Sequence, residues 1–529
     1  MAPTSRTPKR PRAVSDDAAL SKRPKHDKAE AEAADVAAVD AELASINALL
    51  QEEETSQKQT WQIGKRVKKL LEAHEGLAEA KQLDAYFLWG TALARLASLN
   101  EDPTLADAAA DKFQQMLKLT ANEDAADEAL GPVGFSLWGS ALLIVATETR
   151  SREVLDQSLA KFERAVHVDG GTTFETRFQV AKALKEGGDL LAFLQQQGRE
   201  RAKLQYYSRA LQVCGKLEEI YKQEEAKPKE EQQPDEADED EEDDDKVTAQ
   251  DFAEAKLLEA VLQGLLEDPA SCDDFHRTLA LYNEAIELNP DSAEALMEMT
   301  NYLAARCLAK DTLGAKPTPE EWAKLFDELE ARYKQMLAEA GFDLQECHEI
   351  CRRKDDHDQE EPEEEEIDER VPHLLNTLGK GLAAFVRSFP QEAKPSKKQK
   401  QKLKKSAGGA RFTHAVEVLR SAHHFHDKLG GYYLACLYAS PVFEDEEVGF
   451  LCSIVHASTS ILMQNSYCFQ QCRTWLETAD SYGSLEDEFD AQEFTTMHEK
   501  PWFKRLAQPP EQIDDIDDED NANDEKDDA

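Results

Sequence analysis

The sequence predicts an all-α chain built as a solenoid of helix pairs, and three observations carry that prediction. Apolar residues recur at helical spacing among abundant Ala, Leu, Glu, Lys and Gln, while long alternating Val/Ile/Thr runs are absent. The stretch "LWGTAL" at Leu88–Leu93 returns as "LWGSAL" at Leu137–Leu142, 49 residues further on. Turn-forming pairs at Asp102-Pro103, Gly131-Pro132, Gly170-Gly171, Gly187-Gly188 and Asn289-Pro290 mark breaks between helices.

Residues 1–35 read as a basic arm. In "PKRPRAVSDDAALSKRPKHDK" one cluster holds Lys9, Arg10 and Arg12, and a second holds Lys22, Arg23 and Lys25. Two clusters on a Pro-containing arm can fill two acidic pockets of an importin at once, which is the pattern of a nuclear localisation signal. The plainer reading is a basic arm that binds any acidic surface. Helical residues are expected from Val36, where Val36, Val39, Leu43, Ile46 and Leu50 form the stripe of an amphipathic helix. Its two heptads are short for a coiled coil.

The first repeat block is expected over residues 36–222. Aligning its two echoes places Trp89 and Gly90 on Trp138 and Gly139, and downstream "DKFQQML" with Lys112 and Phe113 on "AKFERAV" with Lys161 and Phe162. The offset is 49 in both cases, so the repeating unit is a pair of antiparallel helices rather than one chance hexapeptide. The glycine lets the second helix come close, and the Trp and Phe fill the space between. "FETRFQVAKALKEGGD" and "YYSRALQV" supply a further pair.

A second block is expected over 251–345. In "LYNEAIELNPDSAEALMEMTNYLA", Tyr282, Ala285 and Pro290 take the aromatic, small and terminating positions of a second helix. This pattern resembles the tetratricopeptide repeat, and the resemblance implies a right-handed α-solenoid of tetratricopeptide-like helix pairs with a groove that binds protein segments. The Trp-Gly units depart from it, because their Gly-to-Phe spacing is about seven residues too long for the usual repeat. A third block is expected over 371–508, with "GGYYLACLYAS" and "CRTWLETADSYG" as its last pair and "EKPWFKRL" closing the array.

Three segments hold most of the charge. The 62 basic and 107 acidic side chains leave a net charge of -45, of which -33 lies in Glu224–Asp245, Asp355–Glu369 and Glu511–Ala529. Residues 223–250, 354–370 and 509–529 therefore read as an acidic linker, loop and tail that stay solvated. Charge of this sign disfavours direct nucleic-acid contact and favours basic protein partners, either segments or helices. A basic insertion, residues 394–406, interrupts the third block. Gly449–Gln470 carries no acidic residue and ends in "YCFQ", the kind of sequence a pyrimidine-rich splice acceptor encodes. It reads either as an in-frame translated intron or as a Ser-rich loop.

Catalytic signals are weak. No GxxxxGK[ST], GxGxxG after a strand, GxSxG or HExxH is present, so a non-enzymatic protein without cofactor or metal is expected. His423 and His426 in "HHFHD" share a helical face but have no obvious acidic partner, and Cys347 with Cys351 in "CHEIC" lacks zinc-finger spacing. The 9 cysteines follow no disulfide framework, which suits a reduced cytosolic or nuclear interior. Gly449–Met463, the most apolar stretch, is too short and too polar for a membrane span.

The basic arm, degenerate repeats and central acidic insertion resemble the fungal enhancer of translation termination family. That resemblance implies a nuclear adaptor linked to translation termination and oxygen-responsive transcription. An acidic run set among tetratricopeptide repeats also resembles histone chaperones of the nuclear autoantigenic sperm protein type. A third class, a co-chaperone clamping the acidic C-terminus of a heat-shock protein, requires a cationic groove, for which Lys112, Lys161 and Arg164 are the candidates.

Overall fold

A computed structural model describes residues 25–51, 56–74, 77–193, 199–226, 247–268, 271–309, 317–355, 368–388, 407–439 and 472–479, with Phe494 and Phe503. Among these residues every regular element is helical, as the periodicity predicts. Contacts divide the chain into two compact units: Met1–Ala183 with Leu190–Gln196, and Leu184–Asp189 with Gln197–Ala529.

The first unit contains α1 (Lys25–Gln51), α2 (Gln57–Ala73), α3 (Glu79–Asn100), α4 (Pro103–Leu119), α5 (Glu123–Thr149), α6 (Arg152–Val168) and most of α7 (Phe174–Phe193). Each of α2 to α6 packs on the helix before it, and α3 also touches α1 and α5. Helices α1, α3 and α5 thus form one row, with α2, α4 and α6 as their hairpin partners. Caps set the starts: Ser56 closes a capping box with Gln59, Asp102 accepts from the backbone of Thr104 and Leu105 ahead of Pro103, and Ser151 accepts from Val154.

Helix α1 begins at Lys25, eleven residues before the expected start at Val36. "KAEAEAAD" is made almost wholly of strong helix formers, and their propensity carries the helix back past the apolar stripe. Lys25, the last cation of the predicted localisation signal, is therefore helical; Lys9, Arg10, Arg12, Lys22 and Arg23 lie outside the described residues.

The predicted breaks resolve in three ways. Asp102-Pro103, Gly170-Gly171 and Asn289-Pro290 separate helices, and both Gly170 and Gly171 have positive φ. Gly131, at φ 59° and ψ -178°, is non-helical and divides α5 into two helical segments joined at a kink just before Pro132. Gly187-Gly188, by contrast, is not a break but lies inside α7. A Cβ on Gly188 would collide with the ring of Tyr207, so its packing against the next helix explains the glycine.

The second unit contains α8 (Arg199–Glu225), α9 (Ala249–Leu266), α10 (Cys272–Leu288), α11 (Ala293–Leu308), α12 (Pro319–Glu339), α13 (Leu344–Asp355), α14 (Arg370–Ser388), α15 (Ala407–Phe425) and α16 (Gly431–Tyr438). These groupings differ from the expected blocks. Helix α8, expected in the 36–222 block, packs on α9 across the acidic linker: the Tyr221 and Phe252 rings stack with centroids 4.0 Å apart, and the Val247 amide donates to the Glu224 carboxylate. The blocks expected at 251–345 and 371–508 share one apolar core, because α14 lies against α11 and α12 and brings Phe385 to 5.2 Å from Phe326. At the far end Gly431 meets Ala479 and the Trp475 carbonyl, which brings the expected last pair together. The basic insertion, residues 449–470 and the acidic tail lie outside the described residues.

Candidate functional site

The Trp-Gly echo is repeated residue for residue in the packing. A Cβ on Gly90 would stand 2.9 Å from the Phe113 ring, and one on Gly139 would stand 2.8 Å from the Phe162 ring. Both rings are buried to 1% exposure or less, so neither can swing into solvent. The lysine before each ring lies over the tryptophan before each glycine: Lys112 Nζ is 4.6 Å from the Trp89 ring centre, and Lys161 Nζ is 3.9 Å from that of Trp138. Phe113 also stacks on Trp138 at 6.1 Å, joining one hairpin to the next. A glycine recurs once more at the same 49-residue step, Gly188, but its ring comes from Tyr207, one helical turn earlier than the register of Phe113 and Phe162.

In the second unit Tyr282 and Ala285 are buried on α10, and exposed Pro290 follows the helix end. All nine residues expected to build the repeats therefore lie at helix contacts or a helix end. They make the scaffold and offer no reactive group.

The three cations put forward for a cationic groove are engaged locally. Lys112 pairs with Asp111 as it covers Trp89, burial lowers the pKa of Lys161 over Trp138, and Arg164 makes a bidentate pair with Asp127. These cations are engaged within their own hairpins.

A different groove lies on the row of α1, α3 and α5. This cleft of about 780 Å³ is floored by Leu43, Leu83, Phe87, Leu88 and Leu119. Its sides carry the exposed carboxylates of Asp40, Glu79, Asp84 and Glu128 against a single lysine, Lys81. Lys81 is bonded to Asp40 at 2.9 Å and lies 3.6 Å from Asp84; the Asp40 hydrogen bond chiefly raises its pKa. An apolar floor with a net negative rim is complementary to an amphipathic segment carrying Arg or Lys beside Leu- or Phe-type anchors. Sequence spacing gave no direct sign of this groove, because its carboxylates come from three helices that only tertiary packing brings together.

The histidines of "HHFHD" are used in packing: His423 Nδ1 is 3.1 Å from the Leu429 carbonyl, and its ring meets Trp475 at 5.1 Å. Cys347 is fully buried, which pushes its thiol up to about 11. Helix α5 is long and apolar enough to cross a membrane, but Gly131 kinks it and half of its apolar window is buried within the protein.

No protein-family model and no curated protein matches the chain. A solved structure described as a "Circular tandem repeat protein with novel repeat topology and enhanced subunit contact surfaces" aligns over 84% of this chain and 99% of its own, at 11% identity and a TM-score of 0.27. That score is too low to define the fold, which stands on the helix pairing itself: this is a helical repeat protein.

Proposed function

We propose that this chain is a non-enzymatic protein-binding scaffold of the nucleus, and that its α1–α3–α5 groove holds a basic amphipathic segment of a partner. The carrying observation is the apolar floor of Leu43, Phe87 and Leu88 beneath the carboxylates of Asp40, Asp84 and Glu128. The floor provides anchoring area, and the rim steers the encounter and excludes acidic partners. Import would depend on Lys9, Arg10, Arg12, Lys22, Arg23 and Lys25 as an importin signal. The adaptor resemblance adds release-factor machinery or an oxygenase as the partner class.

A second reading, an acidic histone chaperone, draws support from one observation. The acidic run begins and ends at two helices packed on each other, α8 and α9, and so interrupts a helix pair.

Affinity purification with amine cross-linking and mass spectrometry separates the two. The adaptor reading expects a non-histone partner whose basic segment cross-links to Lys81, with binding lost on Leu43→Asp. Deleting residues 227–246 should leave that binding nearly unchanged. Recovery of histones alone, with binding that collapses on the same deletion and weakens steeply with salt, would overturn it in favour of the chaperone.

A further inference from the structure

We propose that His348, His414 and Glu417 form a binding site for a zinc-class divalent ion that fastens α13 to α15. The ligating atoms of the three side chains lie within 4.8 Å of one another. They come from both helices: His348 projects from α13, while His414 and Glu417 are three residues apart on one face of α15. His348 is buried, and the other two are half-buried. In a tetrahedral zinc site with bonds of about 2.0–2.1 Å, the ligands stand about 3.4 Å apart. Closure by up to about 1.4 Å from the 4.8 Å limit falls to the Glu417 carboxylate, which rides on three rotatable bonds, and to rotation of the two imidazoles.

Hydrogen bonding prepares both rings. Ser421 Oγ donates to the Glu417 carbonyl at 3.0 Å, which uses its only proton. Its contact with His348 Nδ1 at 2.9 Å therefore has the imidazole N–H donating, and the lone pair of the neutral ring falls on Nε2. A metal-binding histidine needs that tautomer, held by an outer partner of this kind. On the other ring, His414 Nε2 lies 3.3 Å from Glu330 Oε1 on α12, at ion-pair distance though off hydrogen-bond alignment. A small rotation would let Nε2–H donate to Glu330 and leave Nδ1 for the ion, giving the carboxylate–histidine–metal arrangement.

The donor set selects the ion class. Two imidazoles and one carboxylate suit zinc and its transition-metal neighbours, whereas magnesium and calcium favour all-oxygen sites. The sequence gives little sign of such a site, because His348 lies 66 residues before His414 and in a motif whose cysteines draw attention first.

The test uses the full-length chain, stripped with chelator and titrated with Co²⁺ and Zn²⁺. One equivalent of Co²⁺ should give weak visible d–d bands without a thiolate charge-transfer band, and Zn²⁺ should displace it and raise the melting temperature. His414→Gln and Glu417→Gln should each weaken Co²⁺ binding by more than about 100-fold, while Ser421→Ala, which removes only an outer partner, should cost about 10–100-fold. Exposed His373→Gln should leave binding unchanged. Circular dichroism of each metal-free variant shows whether it is folded, and Glu417→Gln, altering one half-exposed side chain, guards against a histidine variant that fails to fold. Unchanged affinity in folded Glu417→Gln, a thiolate charge-transfer band, or no stoichiometric binding by the wild type would overturn the proposal.

Discussion

Gly139→Ala adds one methyl group at a point where two helices already touch. The new Cβ would stand 2.8 Å from Cδ2 and Cε2 of Phe162, closer than real Cβ contacts come. The ring is 1% exposed and cannot yield into water, so α5 and α6 must separate. Overpacking of this kind costs about 1–3 kcal/mol. Alanine returns about 0.5–1 kcal/mol through its better helix propensity, leaving a mid-range net loss of about 1 kcal/mol. Gly215→Ala on α8 supplies the contrast, because a Cβ there meets nothing within 4 Å. With no clash, the same substitution should stabilise by about 0.5–1 kcal/mol. Urea denaturation of the full chain, followed by tryptophan fluorescence and circular dichroism, would measure both. The double variant Gly139→Ala/Phe162→Leu should be less destabilised than the two single effects added together, since the smaller side chain accommodates the methyl group. Gly139→Ala at or above wild-type stability would refute close approach as the reason for the repeated glycine.

Three further predictions follow from other sites. Lys256 is buried among Glu218, Glu259 and Glu284 at 3.1, 3.2 and 3.6 Å; burial alone would lower its pKa, but the carboxylates outweigh that and raise it. Lys256→Met should cost about 3 kcal/mol at neutral pH, the low end for breaking a buried pair because Glu218 and Glu284 keep contact with water. Since the folded pKa is raised, this contribution is complete below the ordinary lysine pKa and lost as pH rises through the folded value, so urea midpoints of wild type and variant should converge only in strong alkali. Burial pushes the Cys214 thiol up to about 12, leaving about one thiolate in ten thousand at pH 8, so iodoacetamide should modify half-buried Cys272 long before Cys214, as peptide mass spectrometry would show. In the groove, Asp84→Lys puts a second cation beside Lys81 and should slow association of a basic partner by about tenfold at low salt, measured by stopped flow, with melting nearly unchanged.

Helix content and hairpin register were legible in the sequence because both rest on local signals. The pairing of Gly90 with Phe113 and of Gly139 with Phe162 shows as a second match at the same offset, and the structure places each pair in contact. Gly188 was misread for an equally local reason: a Gly-Gly pair signals a turn, and only the Tyr207 ring on another helix shows why glycine is needed within α7. The contact units divide the chain elsewhere than at its acidic segments. Composition marks where a chain leaves its core, but not that Tyr221 and Phe252 hold the two ends together or that Phe385 enters the core containing Phe326. The groove is non-local in the same sense, and the histidine cluster is so in part: His414 and Glu417 share a face of one helix, but only packing brings His348 to them.

The clasp at Tyr221, Phe252, Glu224 and Val247 has a consequence for how this protein can change. Because Tyr221 stacks on Phe252 and Val247 donates to Glu224, the contacts that set helix register lie at the two ends of the acidic segment and not along it. Doubling such a segment costs only about 0.6 kcal/mol in closure entropy. Its carboxylates can therefore be added, lost or modified almost independently of the interior, making it a tunable charge reservoir attached at one fixed point of the second unit.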